Sequence, residues 1–247
     1  MTKLQFHNLT LGYDRHPAVH HLNGTVERGA LLAVVGPNGA GKSTLFKGVA
    51  GALKPLAGTI DRDGLDAGQI AYLPQLAEID RSFPISLYDM VAMGLMRAKG
   101  LFGGITAKDH HIIAHAIEAV GLTGFEQRAI GTLSGGQMQR MLFARLLVQD
   151  APIIVLDEPF AAIDERTATD LLRLVRRWHD EGRTVLAALH DINLVRTHFP
   201  QTLLLARESV AWGATPKVLT PENLARARLM CEAFDDSAAA CAMREVA

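Results

Sequence analysis

Cysteine is scarce in this chain: Cys231 and Cys241 are the only two among its 247 residues. Two thiols close to the C-terminal end fit reduced side chains better than a disulfide framework. Long apolar runs are missing as well. A membrane span needs ~18 consecutive apolar residues, and the best runs here are short ones such as Ala30 to Val35 and Ile153 to Leu156. Net charge is nearly absent, with 25 Lys and Arg against 26 Asp and Glu. That balance offers no electrostatic case for nucleic acid, which calls for a basic face or stripe. The opening MTKLQFHN lacks the basic and then apolar order of a signal peptide, so the expected place is the cytosol. No internal repeat or low-complexity tract is present. What remains is a hydrophobic content of 49% with 21% charged residues, the composition of a soluble globular chain able to bury a large core.

The apolar segments have two textures. Residues 3–11, KLQFHNLTL, and the neighbourhood of Thr25 and Val26 alternate like half-buried strands. Ala30 to Val35 and Ile153 to Leu156 are continuously apolar and rich in Val and Ile, as buried parallel strands are. Thr184 to Leu189 and Thr202 to Leu205 are two further core strands. Ser43 to Val49 reads as a helix, and strands separated by helices predict an α/β fold with a parallel sheet. Ser86 to Met96 and Thr106 to Val120 follow a helical pattern, with Thr106 and Asp109 placed as a capping pair. A glycine-rich break, KGLFGGI, lies between them. The stretch 76–145 is therefore expected to form a helical subdomain inserted into the α/β core. From about Phe234 the Ala-rich end is expected to fray.

Three motifs carry chemistry. VVGPNGAGKST, Val34 to Thr44, satisfies G-x-x-x-x-G-K-[ST] through Gly36, Gly41, Lys42 and Ser43. Glycines let backbone N–H groups converge on an anion, and the helix that follows adds the positive end of its dipole. A nucleotide triphosphate tail suits this cradle, built from Gly36, Asn38, Gly39, Gly41, Lys42, Ser43 and Thr44. Lys42 would reach the β- and γ-phosphates and Ser43 would offer its hydroxyl to Mg²⁺. The second motif, IIVLDEP, ends a buried strand in two carboxylates, which are costly without a facing cation. Asp157 would hold Mg²⁺ through water, and Glu158 would act as general base on the attacking water. The third, LSGGQ from Leu133 to Gln137, opens a helix with Met138, Met141, Leu142 and Leu146 on one face. Ser134 and the N–H groups of Gly135 and Gly136 make it a second anion-seeking helix start, so the chain has two phosphate-binding ends.

The order of phosphate loop, Gln75, LSGGQ followed by Gln139 and Arg140, LDEP and His190 resembles the nucleotide-binding subunit of an ATP-binding-cassette transporter over essentially the whole chain. The resemblance implies a P-loop NTPase core with a parallel sheet, a small antiparallel β subdomain and an inserted helical subdomain. It implies one cassette over 1–247, with the α/β core at about 1–75 and 146–206, the helical subdomain at 76–145 and a C-terminal extension at 207–247. Tyr13 would stack on adenine. Gln75 would sense Mg²⁺ and water and report to a membrane partner. Asp164 would bridge two subunits, and His190 would keep the γ-phosphate and Glu158 in register. Ser134, Gly135, Gly136 and Gln137 would complete the site of the opposite subunit, so that a head-to-tail homodimer buries two ATP molecules. The chain departs from the family's pattern at Phe160, Ala161 and Ala162, ahead of Asp164.

RSFPISLYDMVAMGLM, Arg81 to Met96, resembles the branch of the family that serves zinc, manganese and iron import. The expected protein is the ATPase subunit of a zinc or manganese importer, peripheral on the cytoplasmic face of the membrane. Its partners would be an integral membrane permease and, indirectly, an extracytoplasmic metal-binding protein, with no nucleic acid. An iron-chelate transporter and a soluble cassette ATPase are the alternatives. The stretch 76–132 is too short for the coiled coils of chromosome-type members, and one phosphate loop does not make the two cassettes of ribosome-type members. His111 and His115 stand at i and i+4 beside His110, a zinc-compatible spacing, although a solvated helix face is the preferred reading. His20 with His21, and Cys231 with Cys241, are weaker candidates still.

Overall fold

The computed structural model describes residues 3–14, 16–100 and 103–232, so Cys241 and the tail from Phe234 lie outside it. The chain divides into two compact units, one of residues 1–67 with 186–247 and one of residues 68–185.

The first unit opens on an antiparallel sheet. β1 (Leu4–Tyr13) pairs with β2 (His16–Val26), Leu4 lying opposite Val26. The alternation of β1 changes phase at His7 and Asn8, where the ladder slips and Asn8 takes φ 46°. The bulge turns Leu9 and Leu11 to the same interior as Leu4 and Phe6, and all four are buried. β3 (Leu31–Val35) is buried at every residue and leads through the glycine loop into α1 (Lys42–Val49). β4 (Ala57–Asp61) then joins the antiparallel sheet along β1. No alternation announces β4, which is mostly exposed.

The second unit begins with β5 (Ile70–Leu73). Ser86 caps α2 (Leu87–Ala92) by accepting from Asp89 N. The continuous helix expected over Ser86 to Met96 is interrupted: a 3-10 turn spans Met93–Leu95 before α3 (Met96–Lys99). Gly94 sits against the Arg145 carbonyl there, where a Cβ would stand only 2.6 Å from the oxygen. Thr106 and Asp109 form the anticipated capping box of α4 (Ala107–Ala119), and Ser134 with Gln137 forms a second one at α5 (Gly135–Gln149). β6 (Ile153–Asp157) runs parallel to β5, pairing Ile70 with Ile153 and Leu73 with Leu156. α6 (Glu165–Asp180) follows, and its Trp178 stacks on Phe143 of α5 at 5.6 Å between centroids.

β7 (Thr184–Ala188) returns the chain to the first unit and is buried throughout. After α7 (Ile192–His198), β8 (Gln201–Ala206) pairs parallel with β3, Val35 lying opposite Leu204. β9 (Glu208–Ala214) pairs antiparallel with β8. Residues 208–214, placed by the sequence in a C-terminal extension, are therefore a strand of the same sheet as β3. Trp212 reaches Phe6 at 6.0 Å between centroids. Two helices close the described chain, α8 (Thr215–Val218) and α9 (Pro221–Glu232), the second carrying Cys231 as a free thiol. Among the described residues no helix is long and apolar enough to cross a membrane.

Candidate functional site

In the first unit, β3 delivers the chain to a loop that ends at Gly41, whose φ of 92° only glycine adopts without strain. A Cβ at Gly41 would also stand 2.4 Å from the Ala18 carbonyl, so the loop is seated against β2. Asn38 and Gly39 are exposed at its tip, with no atom within 4 Å of the open face of Gly39. Lys42 is buried at 6% exposure, and its Nζ donates to the Gly36 and Pro37 carbonyls at 2.9 and 3.0 Å. The ammonium is thus curled over the loop from the first turn of α1. Ser43 is half-buried and Thr44 buried beside it. Leu189 N donates to Val34 O at 3.1 Å, which sets exposed His190 next to the strand that feeds the loop. Tyr13 ends β1 with 48% of its surface exposed.

In the second unit the pairing of Leu73 with Leu156 has a direct consequence. Two residues beyond each lie Gln75 and Glu158, and Gln75 Nε2 donates to Glu158 Oε1 at 3.1 Å. Asp157, the last residue of β6, is completely buried. Glu158 has φ 51°, in the left-handed region, and Ala162 follows with φ 54°. Gln75, Ile79, Arg81, Glu158, Ala161 and Ala162 line a cavity of about 410 Å³. Arg81 was not singled out as a site residue in the sequence. Its guanidinium donates to Leu133 O at 3.3 Å, just ahead of the LSGGQ serine.

The LSGGQ serine and glutamine are committed to each other. Gln137 N donates to Ser134 Oγ at 3.2 Å, and Ser134 N donates to Gln137 Oε1 at 2.9 Å. The first-turn N–H groups of Gly135 and Gly136 have no acceptor within a helix and face outward from its start. Asp164 lies against this tip: a Cβ on Gly136 would be 3.6 Å from Asp164 Oδ2. Asp164 accepts from Thr167 N at 2.9 Å and Thr167 Oγ1 at 2.8 Å, bonds that hold its carboxyl below the usual range. Arg140, just beyond the motif, donates to Asp170 at 2.8 Å and to Thr167 Oγ1 at 3.3 Å.

Exposed His111 and His115 line an open cavity of about 820 Å³ with Glu118, Arg177 and Glu181. Among the described residues no group of three or more His, Cys, Asp or Glu is placed to hold a metal ion. His20 and His21 have ring centroids 6.3 Å apart, and burial lowers the His20 pKa.

Comparison with known proteins bears on these motifs. Residues 19–161 match the family model described as ABC transporter. The manganese transport system ATP-binding protein MntA of Synechocystis is 39% identical over 84% of this chain and 82% of its own. The manganese transport system ATP-binding protein MntB of Listeria monocytogenes is 38% identical over 90% of this chain and 94% of its own. Among solved structures, the inward-facing form of a protein assigned as a metal-chelate type ABC transporter superposes with a TM-score of 0.81 at 31% identity. That match covers 93% of this chain and 90% of the other. Family model, relatives and fold agree, and the chain belongs to the ABC transporter family as one of its ATP-binding subunits, the cassettes that hydrolyse ATP to power transport.

Proposed function

We propose that this chain is the ATP-hydrolysing subunit of a manganese importer, working as a homodimer on the cytoplasmic face of a membrane beside a separate permease. The contact that carries the catalytic reading is Gln75 to Glu158 at 3.1 Å. The cargo reading rests on the relatives named for manganese transport, which favour manganese over the zinc that the Arg81 to Met96 stretch allows equally. An extracytoplasmic metal-binding protein would deliver the ion to the permease.

The donors present suit Mg²⁺ and a triphosphate. The Ser43 hydroxyl, Asp157 carboxylate and Gln75 amide are hard oxygen donors of the kind Mg²⁺ prefers, and Mg²⁺ bound there would neutralise charge on the phosphates. Lys42, with the N–H groups of Gly39, Gly41, Ser43 and Thr44, binds the β- and γ-phosphates, Asn38 shapes the loop, and Tyr13 stacks on adenine. Glu158 takes the proton of the attacking water as its oxygen bonds to the γ-phosphorus and the bond to the β-phosphate oxygen breaks. Gln75 orients the Glu158 carboxylate, and His190 steadies the γ-phosphate. Ser134, Gly135, Gly136 and Gln137 meet the γ-phosphate held by the second copy, with Asp164 at the seam. Closure around ATP and reopening after hydrolysis would drive the permease.

Manganese uptake in cells lacking the chain tests this reading. Restoration by the wild type and failure of Glu158→Gln are expected. Restored uptake of zinc without manganese would overturn the cargo, and wild-type hydrolysis by Glu158→Gln would overturn the engine.

A further inference from the structure

We propose that Gln139 is a positioning residue for hydrolysis: its buried amide fastens the turn that carries Glu158 to the helix that starts at the LSGGQ tip. The proposal rests on Glu158 being the general base.

The turn is one the chain would not adopt unaided. Glu158 has φ 51°, a region that crowds any side chain with a Cβ, and it precedes Pro159, whose ring further restricts the residue before it. Such a conformation persists only where the surroundings over-determine it. Within the turn, Ala161 N donates to Glu158 O at 3.2 Å. From outside it, Gln139 Nε2 donates to the Pro159 carbonyl at 2.8 Å, from a side chain only 2% exposed. Water has no access to replace this donor, so its loss would leave a buried carbonyl unsatisfied. Gln139 is flanked on α5 by buried Met138, Met141 and Leu142. A leucine would fill the same space with no polar group to desolvate, so the contribution of the amide lies in its direction.

Glu158 is thereby held twice, its carboxylate by Gln75 and its backbone through Gln139. The second hold comes from the helix that Ser134 caps. In the proposed dimer that tip engages the nucleotide of the other copy. Gln139 then ties the seating of the tip in one site to the alignment of the base in the other, within a single rigid helix.

Two substitutions in the full-length protein test this. Gln139→Leu removes the donor at nearly unchanged volume, and Gln139→Glu keeps the length but turns an acceptor toward the carbonyl. Both should lower kcat about 10- to 100-fold, leave the Kd for ATP unchanged and weaken cooperativity in ATP, while the unsatisfied Pro159 carbonyl lowers the thermal midpoint, more in Gln139→Glu than in Gln139→Leu. Added to Glu158→Gln, Gln139→Leu should leave the residual rate where it was, because the group through which it acts is gone. Wild-type kcat in both single variants would overturn the proposal, as would an undiminished further loss on top of Glu158→Gln. A wild-type rate for Glu158→Gln alone would instead remove the base assignment beneath it.

Discussion

Gln75 Nε2 donates to Glu158 Oε1 at 3.1 Å across a separation of 83 positions in the chain. The parallel register of β5 and β6 produces the contact, since both residues lie two places beyond the paired Leu73 and Leu156. Gln75→Ala should therefore free the Glu158 carboxylate without touching the phosphate loop. The expected result in steady-state ATPase assays is a kcat reduced about tenfold or more, at unchanged affinity for ATP measured by fluorescent-nucleotide binding.

Glu158→Gln keeps the size of the side chain and removes its basicity. A positioned base contributes about 10²- to 10⁴-fold, so turnover should fall by that order while ATP still binds. Size-exclusion chromatography with ATP should show the variant trapped as a dimer.

In the proposed function Lys42 acts at the other end of the chemistry. Lys42→Ala removes charge-assisted hydrogen bonds worth about 1.5–3 kcal/mol, which corresponds to a Kd for ATP raised about 10- to 100-fold. Isothermal titration with ATP would read this directly, and an unchanged Kd would remove Lys42 from the phosphate site.

Stability should depend on acid through Asp109. Lys99 lies 2.6 Å from Asp109, and Thr106 donates to the same carboxylate from both N and Oγ1. Lys99 foremost, and then Thr106, depress the folded pKa of Asp109 below the usual carboxylate range. For a depressed carboxyl the stabilisation is complete above the unfolded pKa of about 3.9. It is lost as pH falls from there through the folded value. Urea midpoints at pH 7 and pH 3 should differ less in Asp109→Asn than in the wild type.

The second unit leans on the Phe143 and Trp178 stack, with both rings buried and 12° from coplanar. Phe143→Ala should cost about 3–5 kcal/mol by leaving a cavity. A urea melt followed by fluorescence would report the loss, since Trp178 is one of two tryptophans in the chain.

Much of the molecule is written locally. A cap or a phosphate loop acts over three to eight residues, so Thr106 with Asp109, the helix start at Ser134, and Gly36 to Thr44 declare themselves in the sequence. Continuous apolar runs likewise declare β3, β6, β7 and β8, because the middle of a strand covered on both faces is apolar and polar residues such as Thr184, Thr202 and Asp157 fall at or near the strand ends. Strands β4, β5 and β9 carry no comparable signal. β5 has only four residues, and β4 and β9 are largely or partly exposed, so their pairing depends on a neighbour that offers unpaired backbone groups.

The sequence by itself determined the phosphate-loop motif, the helix starts at Thr106 and at LSGGQ, and which family the motifs resemble. Only the tertiary structure decided that Gln75 meets Glu158, that Gln139 seizes the Pro159 carbonyl, and that Glu158 sits in a left-handed turn. The reason is reach. Hydrogen bonds of caps and loops close within a few residues, whereas these contacts exist because strand register and helix packing bring distant residues to the same place.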